Sequence, residues 1–272
     1  MTDDAFPVGA CDTHVHFYDD HFTAAPTAQL LPPAATVSDY RKVQEAMGVQ
    51  RVVVVQPTTY GLDNSCQLGA VAELGDAARF VAVVDAQVTD AELDRLTRRG
   101  TRGARFFMLA GGAVPWEVMP AVAQRIAPFD WHIQLQMNGR FLNQRIDELL
   151  ALPVPMVVDH IGRFMPSVSI DHRHFETLLR LIDSGTCWVK LSAPYETQLD
   201  ASHRYDAVTA VVHELVRRAP ERMLWATNWP HPGQLDPPGL HDLRRLLLDW
   251  IPNAATRRQI LADNPAELYG FA

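Results

Sequence analysis

The sequence predicts an α/β protein, a single (β/α)8 TIM barrel, and three observations carry the prediction. The chain has 272 residues, close to the roughly 250 that one closed barrel of this kind needs. Eight short apolar, β-branched runs recur along it with helix-patterned stretches between them. Such alternation folds as parallel strands joined by right-handed crossovers. No linker, repeat or low-complexity tract divides the chain, so residues 1–272 read as one domain.

In order, the runs are 9–17 (GACDTHVHF), 51–57 (RVVVVQP), 79–86 (RFVAVVDA), 103–109 (GARFFML), 132–137 (HIQLQM), 155–162 (PMVVDHIG), 187–193 (CWVKLSA) and 223–230 (MLWATNWP). Apolar runs of this length, bounded by turn residues, are strands buried on both faces. Segment 19–38, rich in Pro, Ala and Thr, follows the first run and is expected over the barrel mouth. Long irregular loops in a compact domain are usually functional. Segment 90–99 reads as a helix opening on Asp90 as cap and closing on Gly100. Segment 141–152 carries a helical stripe at Leu142, Ile146, Leu149 and Leu150. Segment 203–219 sets Val208, Val211, Val212, Leu215 and Val216 on one side, and Pro220 stops it. An open doubly wound sheet is the alternative. Its nucleotide signatures, G-x-G-x-x-G and G-x-x-x-x-G-K-[ST], are absent.

Composition excludes several function classes. A net charge of −8 argues against nucleic acid or an anionic membrane as partner. The three cysteines, Cys11, Cys66 and Cys187, are odd in number and form no C-x-x-C pair, so neither a disulfide framework nor a thiolate zinc site is expected. The start, MTDDAFPVGA, lacks the basic and apolar regions of a leader, and no run of 18 apolar residues occurs. These features point to a cytoplasmic protein with a small-molecule partner.

In such barrels the chemistry lies at the C-terminal ends of the strands. The polar residues expected there are Asp12, His14 and His16 on the first strand, and Gln56, Thr58 and Thr59 on the second. Arg105 lies on the fourth, and Gln136 and Asn138 on the fifth. The sixth offers Asp159, His160 and Arg163, the seventh Lys190 with Tyr195 and Glu196 beyond it, and the eighth Thr227, Asn228 and His231. Alternation lets His14 and His16 enter the mouth together. A lone histidine in a strand is commonly a packing residue. Three at strand ends with arginines beside them are better explained by a site. Asp12 is as well explained by a structural hydrogen bond, and Trp229 and Pro230 by shape. His132, at the wrong end of its strand, and His172, His174, His203, His213 and His241 are expected to be structural.

Taken together in this order, CDTHVH, DHIGR and ATNWPHP resemble the lactone-acting branch of the amidohydrolase superfamily. The resemblance runs over residues 9–270 and includes NPAELYGF near the end. It implies a barrel enzyme whose lactone-acting members are described as working without a divalent metal. Some of them hydrolyse a dicarboxylated pyrone lactone, and others isomerise a sugar-diacid lactone. The chain is mixed between the two. His14-x-His16 and Arg163 match the hydrolysing members, whereas Asn228, Gln136 and GGAV at 111–114 match the isomerising ones. YET at 195–197 replaces an arginine-bearing loop of the hydrolysing members.

A superfamily metal would need an imidazole on strand five and a carboxylate on strand eight, where Gln136 and Asn228 stand. Neutral amides hold zinc poorly, so no metal and no cofactor is expected. Without one, His14, His16 and His160 suit an oxyanion-type site, with Asn228 orienting the nucleophile. Arg105 and Arg163 suit substrate carboxylates, and Lys190 could act likewise. Thr58, Gln136, Tyr195 and His231 complete the expected binding set. The residues leave the nucleophile and the base open, with Asp12, Asp159 and the histidines as candidate bases. The retained His14 and Arg163 point first to a lactone hydrolase using water. Internal acyl transfer by an isomerase and a catalytically silent ligand-binding barrel are the alternatives.

Overall fold

The computed structural model describes residues 5–198 and 203–272. Residues 1–4, part of the segment read for a leader, lie outside the described residues. Eight strands run parallel in the order β1 to β8. They are β1 (Cys11–Val15), β2 (Arg51–Val55), β3 (Ala78–Ala82), β4 (Thr101–Phe107), β5 (His132–Gln136), β6 (Met156–Val158), β7 (Cys187–Leu191) and β8 (Met223–Trp225). Each matches one predicted run. The ring closes between β8 and β1 through Asn228 N–H to His14 O at 3.1 Å and His16 N–H to Trp229 O at 2.9 Å. Closure and the predicted mouth therefore share residues.

A helix follows every strand: α1 (Val37–Met47), α2 (Ser65–Leu74), α3 (Asp90–Arg98), α4 (Met119–Ile126), α5 (Ile146–Leu150), α6 (Arg173–Asp183), α7 (Asp206–Arg218) and α8 (Leu240–Trp250). Two short helices, α9 (Ala254–Arg258) and α10 (Asn264–Tyr269), end the chain. Thr36 and Asp39 form a reciprocal capping box at the start of α1, satisfying two backbone donors that a helix end leaves free. The helices bury their apolar faces on the outside of the strands. Inside the lower barrel, Cys11, Val53, Val81, Val157, Trp188 and Leu224 pack with Tyr269 and Phe271.

Two local expectations need correction. Thr89, not Asp90, caps α3: its side chain accepts from Glu92 N–H, and Asp90 is the first helical residue. Segment 141–152 is not one helix. Asn138 caps a 3-10 turn over Gly139–Gln144 by accepting from Arg140 N–H, and Arg145 at φ −127° separates that turn from α5. Leu142, Ile146 and Leu149 are buried as the stripe implies, whereas Leu150 is 42% exposed. No helix among the described residues is long and apolar enough to cross a membrane.

Candidate active site

Alternation alone would turn Asp12 and His14 the same way. The β1–β2 register is irregular between Asp12 and Val15, and an irregularity of this kind re-aims side chains. Asp12 bonds outward, accepting from Tyr40 Oη of α1 at 3.0 Å and from Thr227 Oγ1 and N–H at 2.6 and 3.0 Å. Burial raises its carboxyl to about 6 against the opposing pull of those bonds. Asp12 is thus a clamp between strand ends, held away from the cavity. Trp229 has the packing role expected of it, tilted against Phe17 and Tyr40.

His14 and His16 turn inward. His16 Nδ1 lies 2.7 Å from Val55 O. A carbonyl only accepts, so Nδ1 carries the proton. Burial lowers His16 to about 3, which leaves the ring neutral with a lone pair on Nε2. His14 Nε2, 3.1 Å away, is then the donor. His14 Nδ1 faces Lys190 Nζ at 3.4 Å and Asp159 Oδ1 at 3.3 Å. Lys190 also donates to Thr13 O at 2.8 Å and Gln134 Oε1 at 2.7 Å, and Gln134 Nε2 donates to Asp159 Oδ2 at 3.0 Å. Burial brings the Lys190 ammonium down to about 8. This network forms the floor beneath the mouth, so Lys190 orders His14 and does not reach a ligand.

Above that floor is a cavity of about 290 Å³ whose walls include His16, Tyr18, Thr58, Arg105, Gln136, His160, Arg163, Glu196 and Asn228. Leu30, from the predicted mouth loop, and Pro232 close one side, and a more apolar groove of about 440 Å³ lies beyond them. Arg105 donates to Gln56 O and to Gln136 Oε1, both at 2.7 Å. Its buried Nε has no partner among the described residues. Because Gln136 Oε1 accepts from Arg105, the Gln136 amide N–H groups remain for the cavity. Arg163 Nε instead donates to Glu196 Oε2 at 2.7 Å.

His160 follows β6 in a turn where His160, Ile161 and Arg163 all have positive φ. Such backbone is costly for β-branched or bulky residues and clusters at functional sites. His160 Nδ1 lies 2.9 Å from Ser192 Oγ, which leaves Nε2 for the cavity. Burial pushes its pKa well below the usual histidine value. Asn228, at φ 62°, donates from Nδ2 to Tyr195 Oη at 2.9 Å, and its buried Oδ1 has no partner among the described residues. Tyr195 and His231 stand behind Asn228, joined at 2.9 Å, and not on the cavity wall. Asn138 is likewise outside it, donating to Met165 O.

Of the residues named from sequence, the structure gathers His16, Thr58, Thr59, Arg105, Gln136, His160, Arg163, Glu196 and Asn228 around one cavity. His14, Asp159 and Lys190 lie below it. His132 packs edge-on to Tyr269 at the far end. His172 caps α6, and His203 and His213 bond at the surface. Tyr18, Phe107, Gln134 and Ser192 were not anticipated. The first three follow a readable signal, each lying two residues from a named site residue on the same strand or its extension. Ser192 carries the same signal, two residues beyond Lys190 on the extension of β7.

The donor set suits a divalent cation poorly. His14, Asp159 and His160 each offer one ligand atom within 4.8 Å of the others, but the Lys190 ammonium already stands 3.7 Å from Asp159 Oδ1. Toward the cavity, the Nε2 atoms of His14 and His16 are taken up with each other at 3.1 Å, and the strand-five and strand-eight positions carry the neutral amides of Gln136, bonded to Arg105, and of Asn228. Zinc sites use imidazole, thiolate or carboxylate donors, and two cationic side chains this near oppose a third charge. These residues do not fit a resident divalent ion.

Comparison with known proteins adds four findings. A family model described as Amidohydrolase matches residues 11–271. D-galactarolactone isomerase of Agrobacterium fabrum is 36% identical over 97% of this chain and 92% of its own length. 2-Pyrone-4,6-dicarboxylate hydrolase of Comamonas testosteroni is 32% identical over 97% and 90%. A crystal structure of an apo protein from Agrobacterium tumefaciens superposes with a TM-score of 0.93 at 36% identity, covering 98% of both chains.

Proposed function

We propose that this chain, which belongs to the amidohydrolase family, is a lactone hydrolase that opens the ring ester of a small carboxylated lactone with water. The observation that carries the reading is Arg105. It is 4% exposed, borders the cavity and has no carboxylate partner within ion-pair distance among the described residues. A buried cation left unpaired is strongly unfavourable, and a substrate carboxylate supplies the missing charge.

Opposite Arg105, Ser192 Oγ–H donates to His160 Nδ1, so His160 Nε2–H points at the lactone carbonyl oxygen. Neutral imidazole stabilises the developing oxyanion as a donor without placing another cation in the site. His16 keeps the adjoining wall neutral and is fixed from beneath by His14. Asn228 Oδ1 accepts from the attacking water and aims its oxygen lone pair at the carbonyl carbon. As the tetrahedral carbon collapses, the carbon–ring oxygen bond breaks, the proton given up by the attacking water ends on the departing ring oxygen, and the product is a hydroxy acid. Gln136 and Thr58 bond the ring substituents, and the reaction needs no metal. Three buried free cysteines suit the reducing cytoplasm.

One observation favours a second reading, internal acyl transfer. Asn228 is an amide and takes up no proton. A substrate hydroxyl already held against the carbonyl needs orientation more than deprotonation, and one relative is named an isomerase. Turnover of a panel of carboxylated lactones in oxygen-18 water separates the two. Hydrolysis puts one labelled oxygen in the first product. An unlabelled rearranged lactone formed before any open acid establishes the isomerase, and no turnover of any lactone removes both.

A further inference from the structure

Asn228 can present either an oxygen or an NH2 group to the cavity, and the choice decides whether it accepts or donates there. Two residues that do not border the cavity control that choice. Nδ2 lies 2.9 Å from Tyr195 Oη, and Tyr195 Oη lies 2.9 Å from His231 Nδ1. A phenol has one hydrogen. If it accepts from Asn228, that hydrogen goes to His231 Nδ1, which must then be a bare lone pair with the ring proton on Nε2. Turning the amide over reverses both bonds, and His231 would have to carry its proton on Nδ1. The amide orientation and the histidine tautomer are therefore one variable.

We propose that Tyr195 is a positioning residue for the reaction, holding Asn228 with Oδ1 toward the cavity through the one-way chain Asn228 to Tyr195 to His231. Three further observations agree. Oδ1 is buried without a partner among the described residues, as an acceptor kept for a ligand would be. Asn228 and His231 both hold positive φ, at 62° each, an uncommon backbone state found at both ends of this hydrogen-bond chain. His231 is lowered to about 4 by burial, which keeps its ring neutral and able to accept. The catalytic consequence rests on the lactone reading, because Oδ1 is there the acceptor for the attacking hydroxyl. The bond directions do not.

The experiment has two readouts on the full-length protein. Long-range nitrogen-15 spectra of the histidines, with His231 assigned by its loss in His231→Asn, report the tautomer whether or not any lactone is turned over. The expected result is a proton on Nε2 and an acceptor Nδ1. A proton on Nδ1 overturns the proposal. In kinetics, Tyr195→Phe removes only the hydroxyl and should lower kcat about tenfold with KM changed less than about threefold. His231→Leu, which forces the phenol hydrogen back onto Asn228, should show the same loss. His231→Asn returns an acceptor near the Nδ1 position, tolerates positive φ and should keep most of kcat. A Tyr195→Phe enzyme with native kcat, or equal losses in both His231 variants, contradicts the proposal. A wild type inactive on every lactone counts against the functional reading, and the tautomer still decides this one.

Discussion

The two sides of the cavity treat their guanidinium groups differently. On the β4–β5 side, Arg105 is buried, donates to a backbone carbonyl and an amide, and leaves Nε unpaired. On the β6–β7 side, Arg163 and Glu196 neutralise each other at 2.7 Å and are each about one-fifth exposed. Two arginines that look equivalent in sequence thus differ in what they offer a ligand. The first holds a charge that only a ligand can answer, and the second must give up its own carboxylate to do so. With the histidines neutral, two cations and one anion leave the cavity one positive charge, concentrated at Arg105.

The largest effect expected from this contrast lies between the walls. His160→Ala should lower kcat on the order of a hundredfold or more, as loss of one oxyanion donor does, with an unchanged circular dichroism spectrum. A folded variant with a near-native rate would leave the Arg105 side as the only functional wall. Arg105→Met comes next. Losing a hydrogen bond to a charged partner costs about 1.5–3 kcal/mol, so kcat/KM should fall at least about tenfold. Arg163→Met should cost less than about fivefold, because Glu196 already answers the Arg163 charge and little of it is left for a ligand. Equal losses for the two arginines would erase the distinction.

Acid should separate stability from chemistry. Burial lowers His14, His16, His132, His160 and His231, whereas their unfolded forms take a proton near pH 6.5. From about pH 6.5 down toward 4 the unfolded chain binds more protons, so stability falls as pH falls. Asp12, raised to about 6, opposes this as one group against five. The melting temperature should drop from pH 7 to 5 while initial rates of folded enzyme, measured before unfolding, stay nearly level. Smallest of all, exhaustive chelation should leave activity unchanged. Loss of activity that zinc restores would show that His14 and His16 hold an ion after all.

The fold was legible because barrel strands are buried on both faces and their apolar runs need no partner to be recognised; all eight appear. Helix 141–152 failed because a 3.6-residue stripe does not register the turn that Asn138 caps and Arg145 interrupts. At the site, residue type and strand position were enough to put His160, Arg105 and Asn228 around one cavity. They did not suffice for Lys190, which is as polar and as near a strand end but answers to Gln134, Thr13 and His14 in the floor. Nor could they separate Arg163 from Arg105, because Glu196 comes from a different loop and its pairing is a fact of tertiary structure. Tyr195 and His231 carry the same polar signal as the wall residues, but they stand behind Asn228, bonded to each other and to its amide, which is again a fact of tertiary structure.

The central claim is that Arg105 binds a substrate carboxylate, and removing the charge from the substrate tests it most directly. The measurement is kcat/KM for a carboxylated lactone and for its neutral methyl ester, in wild type, Arg105→Met and Arg163→Met. Wild type should prefer the carboxylate at least about tenfold, or about 1.4 kcal/mol. The preference should collapse in Arg105→Met and persist in Arg163→Met. A preference that survives loss of Arg105, or disappears with loss of Arg163 alone, would contradict the account.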